Sequence, residues 1–437
     1  MKTHRFLIAA LAGLLVFGGV AYGNGLNLNS LGTRALTMGG AFVGLADDFS
    51  AVFWNPAGAA RFKTRYLGFY ATDLIPSSRY RLDVPTPGGM STLVNAKNTT
   101  PHNLAGMLAY YHPVSDRLVI GFGAYTPSGL GIKWPEAAMA PISANGNYEW
   151  SSKIGLFTFS PTIAYRINDM ISVGAALNFN YGMFSIKMHA GITDLPVAPF
   201  VFDFGQYDES SNGWGVGATF GVLVRPSNRL SFGLTVRTPS QVSYSGDALI
   251  SNLDLLGFNE SSKVKRSITF PLWIAGGVAF RPVERLLVTA DVQWTKWSTI
   301  KSLDANYADP VWKAIMAESG RDSQKMDWVD KAQVRVGAEY TLSRDFALRA
   351  GYYYDPTPAP DTTLNVLIPS YTFNVVTAGI GYSVAGLQLD FGVEYLMGRD
   401  RAVSYLATLT DPAFASAMPG SYHMNLLVPN MSIGFRF

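Results

Sequence analysis

Between Tyr66 and Phe437 the chain alternates. Short runs place an apolar residue at every second position, as in Val334-Arg335-Val336-Gly337-Ala338-Glu339-Tyr340-Thr341-Leu342 and Leu387-Gln388-Leu389-Asp390-Phe391-Gly392-Val393-Glu394-Tyr395. Successive side chains of a strand point to opposite faces. One face of each run is therefore oily, and the other carries Arg, Glu, Asp and Gln. About fourteen such strands are expected, at 64–74, 102–113, 116–126, 153–166, 169–188, 212–225, 229–243, 263–281, 284–300, 326–342, 345–355, 370–384, 386–399 and 423–437. Their connections alternate in length. Six are tight, among them Arg225-Pro226-Ser227-Asn228 and Leu342-Ser343-Arg344-Asp345, and carry the turn formers Pro, Asn, Asp and Gly. Seven are long, at about 75–101, 127–152, 190–211, 244–262, 301–325, 356–369 and 400–422. An even strand number with short turns at one end and long loops at the other marks a transmembrane barrel. A sandwich or propeller has no cause to alternate its loops so regularly.

Charge tests the register. With Leu230, Phe232, Leu234, Val236, then Val288, Ala290, Val292, Trp294, then Met431, Ile433, Phe435, Phe437 facing outward, no outward site is charged, while Arg237, Asp291, Gln293 and Arg436 face inward. An Arg on lipid at mid-depth costs ~2–4 kcal/mol, so a membrane barrel must sort its residues this way. Lumenal Arg335, Glu339, Asp390 and Glu394 are expected to form an ion-pair ladder.

The first residues have another texture. Lys2, His4 and Arg5 precede an apolar run, Phe6 to Val20, and Ala21-Tyr22-Gly23 is a small-x-small site. Residues 1–23 read as a cleaved signal peptide, with cleavage after Ala21 the competing choice. Its removal takes two cations and no acid, leaving a formal charge of +1 rather than +3. Residues 24–63 are rich in Gly, Ala and small apolar residues, too apolar for a disordered tail and too few to hold a core of their own. They read as a hatch folded inside the barrel formed by 64–437, the alternative being a small periplasmic appendage. The expected fold is thus all-β, a 14-stranded antiparallel transmembrane barrel with an N-terminal hatch in its lumen.

Composition agrees. Charged residues are 15% of the chain, below the ~25% usual for globular domains. A charge of +3 gives no reason to expect nucleic acid. There is no cysteine, so disulfides and thiolate metal sites are excluded. His102, His112, His189 and His423 are isolated in sequence, no Ser/His/Asp spacing suggests a hydrolase, and Gly39-Gly40 lacks the lysine of a phosphate loop. Neither enzyme activity, metal nor cofactor is expected.

Several motifs resemble one family. Gly32-Thr33-Arg34-Ala35, Met38-Gly39-Gly40-Ala41-Phe42-Val43-Gly44, Ala46-Asp47-Asp48 and Asn55-Pro56-Ala57-Gly58 are similar to the N-terminal hatch of the FadL/TodX family of outer-membrane transporters. So are Gly123-Ala124-Tyr125-Thr126-Pro127-Ser128-Gly129, Asp291-Val292-Gln293-Trp294, Gly351-Tyr352-Tyr353-Tyr354-Asp355 and the terminal Phe435-Arg436-Phe437 to later segments of that family. The resemblance implies passive uptake of long-chain fatty acids, or alternatively of aromatic hydrocarbons, across the bacterial outer membrane, with no nucleotide. Loops 127–152 and 190–211 would capture cargo in a groove that includes Leu130, Ile132, Trp134, Met139, Phe200 and Phe202. The hatch, with Gly39, Gly40, Asp47, Asp48 and Asn55-Pro56-Ala57, would shift. Cargo would leave sideways where the third strand is kinked, with Gly121 and Gly123 as the break and Asn55-Pro56-Ala57 facing it. Plain packing of the loops, and a plain turn at Asn55, are the alternative readings. A carboxylate cargo needs a cation, for which Arg34, Lys133 and Lys153 are candidates. A diffusion porin for polar solutes is the second alternative. The expected partners are a hydrophobic small molecule, outer-membrane lipid and lipopolysaccharide, and the expected state is a monomer.

Overall fold

The structure, a computed structural model, describes residues 25–99, 102–194 and 201–437. The expected signal peptide lies outside them. Fourteen strands build the wall: β1 (Tyr66–Thr86), β2 (Asn103–Pro113), β3 (Leu118–Trp134), β4 (Trp150–Arg166), β5 (Ile171–His189), β6 (Gln206–Ser227), β7 (Leu230–Arg237), β8 (Trp273–Val283), β9 (Leu286–Thr295), β10 (Lys331–Thr341), β11 (Phe346–Asp355), β12 (Phe373–Val384), β13 (Leu387–Gly398) and β14 (Gly420–Arg436). Each pairs antiparallel with the next. A seam from Tyr66↔Arg436 to Arg81↔Ser421 joins β14 to β1 and closes the cylinder. Closure leaves no strand of the ring without a neighbour on either side, although pairing between β2 and β3 stops at Met107↔Tyr125.

The expected sorting of faces holds. On β10, Val334 and Val336 are 52% and 43% exposed, while Gln333 and Arg335 are each 1% exposed. Phe232, Leu234, Val288, Val292, Met431, Ile433, Phe435 and Phe437 face out, and Asp291 and Gln293 are buried.

Several long connections are partly strand. β1 continues to Thr86 and folds back through Gly89–Lys97. Strands Ser240–Ile250 and Ser261–Phe270 prolong β7 and β8 past Pro239 and Pro271, and the first also pairs with the upper half of β6. Above the membrane the outward face meets water instead of lipid, while Ser78, Tyr80 and Leu82 stay buried on the inner face. The oily-outward alternation therefore lapses along Ser77-Ser78-Arg79-Tyr80-Arg81 although the ladder continues.

Residues 25–62 lie within the ring. They form two short helices, α1 (Thr33–Thr37) and α2 (Ala51–Trp54), and a 3-10 turn, Pro56–Arg61. Leu31, Leu36, Phe42, Phe53 and Trp54 are all buried, because the wall supplies the core that so short a segment lacks. The wall makes room with glycine. A Cβ on Gly233 would lie 2.0 Å from the Val43 carbonyl oxygen, one on Gly337 2.2 Å from that of Met38, and one on Gly351 2.1 Å from the Gly39 nitrogen. Backbone thus rests directly on backbone.

Candidate functional site

The inner segment is held from most sides. The Thr33 N–H donates to Ser432 Oγ on β14 (2.9 Å), and Gly39 N–H to Thr377 Oγ1 on β12 (3.1 Å). Val43 N–H donates to Asp291 on β9 (2.8 Å), Ser231 Oγ on β7 to the Gly44 carbonyl (2.6 Å), and Val52 N–H to the Tyr111 hydroxyl on β2 (2.9 Å). Gly39 and Gly40 have φ of 65° and 66°, and a Cβ on Gly40 would lie 2.4 Å from Arg335 Nη1. That double requirement, backbone and space, accounts for both glycines.

Charge reinforces the seat. Arg34 donates to both oxygens of Glu339 on β10 (2.7 and 2.9 Å) and to Asp47. Arg349 joins Glu339 (2.7 Å) to Asp390 (2.6 Å). Arg335 departs from the expected ladder: it donates to the carbonyls of Gly39 (2.9 Å) and Asn29 (3.0 Å), while Glu394 accepts from the Tyr353 hydroxyl. Asp48 accepts from the Ser50 N–H (2.8 Å) and hydroxyl (2.5 Å) at the start of α2. Burial pushes its carboxyl up to about 6, against the pull of Arg34 and Ser50.

Asn55 works as a three-way tie. Its Oδ1 accepts from Ala57 N–H (3.1 Å), and its Nδ2 donates to the carbonyls of Val43 and of Val222 on β6 (3.0 Å each). Pro56 packs on Gly174 of β5. Asn55-Pro56-Ala57 therefore sits against β5 and β6, not at a break in β3 as expected.

The break itself is elsewhere on β3. Gly121 and Gly123 pair regularly with Tyr111 and Ala109 on β2, and with Thr162 and Ser160 on β4. Gly123 has a different cause: a Cβ there would lie 2.7 Å from Val52. The β2–β3 ladder ends at Met107↔Tyr125. On the other side the register jumps from Tyr125↔Thr158 to Ser128↔Leu156, a bulge with one extra residue at Thr126-Pro127. Proline cannot donate to a ladder, and Thr126 bonds Gly106 with its side chain instead (3.1 Å). Beyond the bulge, Gly129 to Trp134 pair with β4 and no longer with β2. The strand turns to the inner segment: Leu28 N–H donates to the Pro127 carbonyl (3.0 Å), Ser128 Oγ to the Leu26 carbonyl, and Asn27 bridges Ser128. Thr99 N–H to the Lys133 carbonyl (2.8 Å) rejoins the two sides above.

Inside this break lies a small chamber of about 40 Å3, bounded by Asn27, Tyr125, Pro127, Asn180, Arg237 and Trp273 among others. Arg237 donates to the Phe53 carbonyl (2.9 Å) and lies over the rings of Phe53 (4.5 Å) and Trp273 (4.9 Å).

At the long-loop end, the expected groove residues are packed away. Ile132 and Trp134 lie on the prolongation of β3, and Trp134 Nε1 donates to the Val366 carbonyl (3.0 Å). Met139, in the turn of helix Glu136–Met139, is fully buried. Phe202 packs on Phe204 (5.1 Å). Phe200 and the Leu130 side chain lie outside the described structure. An open vestibule of about 410 Å3 has one side lined by Trp150, Phe184, Ile186, Met188, Leu303 and Leu367, and polar groups that include His189, Arg266, Gln324 and Lys325 on the rest. Arg321 stands at its edge, with no side-chain hydrogen bond or ion pair among the described residues. Lys133, by contrast, is paired with Glu149 (3.2 Å). Arg237 was legible as an inward cation by register. Nothing in its loop distinguished Arg321.

The family model described as outer membrane protein transport protein (OMPP1/FadL/TodX) matches residues 14–437. Outer membrane protein P1 of Haemophilus influenzae is 23% identical over 448 residues, 94% of each chain. The long-chain fatty acid transport protein of Escherichia coli O6:H1 is 23% identical over 416 residues, 87% of this chain and 88% of that one. Among solved structures, a Pseudomonas aeruginosa FadL homologue superposes with a TM-score of 0.77 at 16% identity, over 94% of this chain and 100% of that one. The Pseudomonas putida toluene transporter TodX does so with a TM-score of 0.71 at 16% identity, over 95% and 100%.

Proposed function

This chain belongs to the FadL/TodX family of outer-membrane transport proteins, and from that premise we propose that it takes up long-chain fatty acids passively, captures them at its long-loop end and releases them sideways into the bilayer. The break in β3 carries the reading. The wall strand there gives up its ladder to β2 and bonds instead to residues 26–28. Those few bonds are the door, and their release opens the wall at membrane depth. The remainder of residues 25–62, tied through Asn55, Arg34, Gly39 and Gly40, is the frame on which it swings. The apolar side of the vestibule offers an entry for an alkyl chain, and Arg321 a cation for its carboxylate.

Energetics favour such a path. Each buried methylene is worth ~0.8 kcal/mol, so a long acyl chain prefers membrane to water by many times thermal energy. An apolar route with a lateral exit never returns the tail to water. A concentration difference then suffices.

The test uses the absence of native cysteine. A disulfide between Asn27→Cys and Ser128→Cys should cut hexadecanoate uptake into proteoliposomes by tenfold or more, with recovery on reduction. Undiminished uptake by the oxidised protein overturns lateral release. Mass spectrometry of co-purified lipid identifies the cargo, with fatty acids expected and aromatic hydrocarbons the contrary result.

A further inference from the structure

The chamber beside the break contains an arginine with no anion. Arg237 has one carbonyl acceptor, on Phe53, and its Nε is buried with no partner. Among the described residues it forms no salt bridge. Its other neighbours are the faces of Phe53 and Trp273. A cation taken from water without a counter-ion is costly, by several kcal/mol even after relaxation. Two other buried arginines are compensated differently: Arg34 by two carboxylates, and Arg335, whose Nε also lacks a partner, by carbonyls of Gly39 and Asn29 and by Gln333.

The opposite side of the chamber is uncharged but rich in hydrogen-bonding groups. Thr158 Oγ1 donates to Asn180 Oδ1 (2.6 Å), and Asn180 Nδ2 to Ser240 Oγ (2.8 Å). Tyr125 and Ser160 hydroxyls lie 3.0 Å apart, and Ser160 donates to Asn178 Oδ1 (2.8 Å). Hydroxyl and amide groups of this kind donate to an anion after a small rotation, and no carboxylate in the chamber repels one. One guanidinium plus neutral donors in an apolar setting suits a single carboxylate. The chamber holds little more than a water or two at about 40 Å3. Asn27, which bounds it, belongs to the bridge that must release when the wall opens.

We infer that this chamber is a headgroup site on the exit path, in which Arg237 binds the carboxylate of an amphipathic acid while its tail lies in the break beside Pro127. The inference rests on the uptake reading above and adds to it a residue that selects acids over neutral compounds. A head held here lets the tail enter lipid first, so the charged end is the last part to leave protein.

The experiment compares hexadecanoate with hexadecanol in proteoliposomes containing the full chain. Arg237→Gln should lower hexadecanoate uptake about tenfold and leave hexadecanol unchanged, with most acid uptake restored in Arg237→Lys. Equal losses for acid and alcohol would mean that Arg237 only seats Phe53, and no loss for either would mean that the site is absent; both overturn the inference. Asn180→Ala keeps every contact of Arg237 with the inner segment and should lower acid uptake alone by a few-fold. It serves as the deciding variant if Arg237→Gln fails to fold, and unchanged acid uptake then overturns the inference. Calorimetric binding of hexadecanoate to detergent-purified protein separates the two claims. If the native protein binds the acid and Arg237→Gln does not, while neither transports it, the headgroup site stands and the uptake reading falls.

Discussion

Asp48 sets a cost at the residue scale. Its carboxyl is buried and titrates near 6 in the fold, above the ~3.9 of a free aspartate. A raised value means that the folded state favours the proton. The penalty is absent below about pH 4, grows as pH rises, and is complete above the folded value. Asp48→Asn keeps the acceptor facing Ser50 and removes the charge. It should therefore stabilise the protein by about 1–3 kcal/mol at pH 7.5 and by much less at pH 4.5, read as the shift in thermal midpoint. Equal shifts at the two pH values would count against a buried charge at this position. Gly39, Gly40 and Asn55 were singled out only through the family resemblance; the fold supplies the physical cause, since few residue types satisfy a positive φ or cap a turn from one side chain. The Arg34–Glu339 pair was not legible, since its members are 305 positions apart and only closure of the ring brings them together.

At the scale of the element, β3 shows where pattern and cause separate. Glycine in a strand reads as weakness, so Gly121 and Gly123 suggested the kink. Yet Gly123 serves Val52, and the ladder passes through both glycines intact. The stronger signal was Pro127, two residues after Tyr125 in an otherwise apolar run, because a missing N–H interrupts pairing outright whereas glycine only softens it. Pro127→Ala restores a donor. The variant should take up hexadecanoate several-fold more slowly, with a thermal midpoint no lower than that of the native chain. Faster uptake would show that proline does not hold the wall apart. The lengths of β1 and of the segments after β7 and before β8 escaped the alternation rule for a different reason: outside the bilayer the outward face turns polar, while the inward one, with Tyr80, Val242, Tyr244 and Ile268, is buried.

The whole molecule was the most legible level. Turn chemistry at one end, long connections at the other and charge-free outward positions all follow from one constraint, the hydrocarbon surroundings. The texture of residues 24–63 likewise suggested a lodging inside the ring, because a segment so apolar and so short needs borrowed walls. What composition could not reveal was how closely the two meet. Gly233 pairs with Gly277 across the β7–β8 ladder, and Gly276, one position along, pairs with Leu234; a Cβ at Gly233 would strike the Val43 carbonyl at 2.0 Å, whereas at Gly276 the nearest atom is 4.0 Å away. Gly233→Ala should destabilise the protein by about 1–3 kcal/mol, as overpacking does. It should also raise leakage of small sugars in liposome swelling, and Gly276→Ala should do neither.

The seam between β1 and β14 joins the two ends of the wall, and residues 25–62 precede β1 directly. Once the last strand zips to the first, those residues are already bonded on several sides and there is no side door wide enough to admit them. The stopper must therefore be inserted before the bottle is sealed, so biogenesis itself depends on these glycines. Variants that spoil the fit should therefore also lower the yield of sealed barrel, read as less protein reaching the membrane.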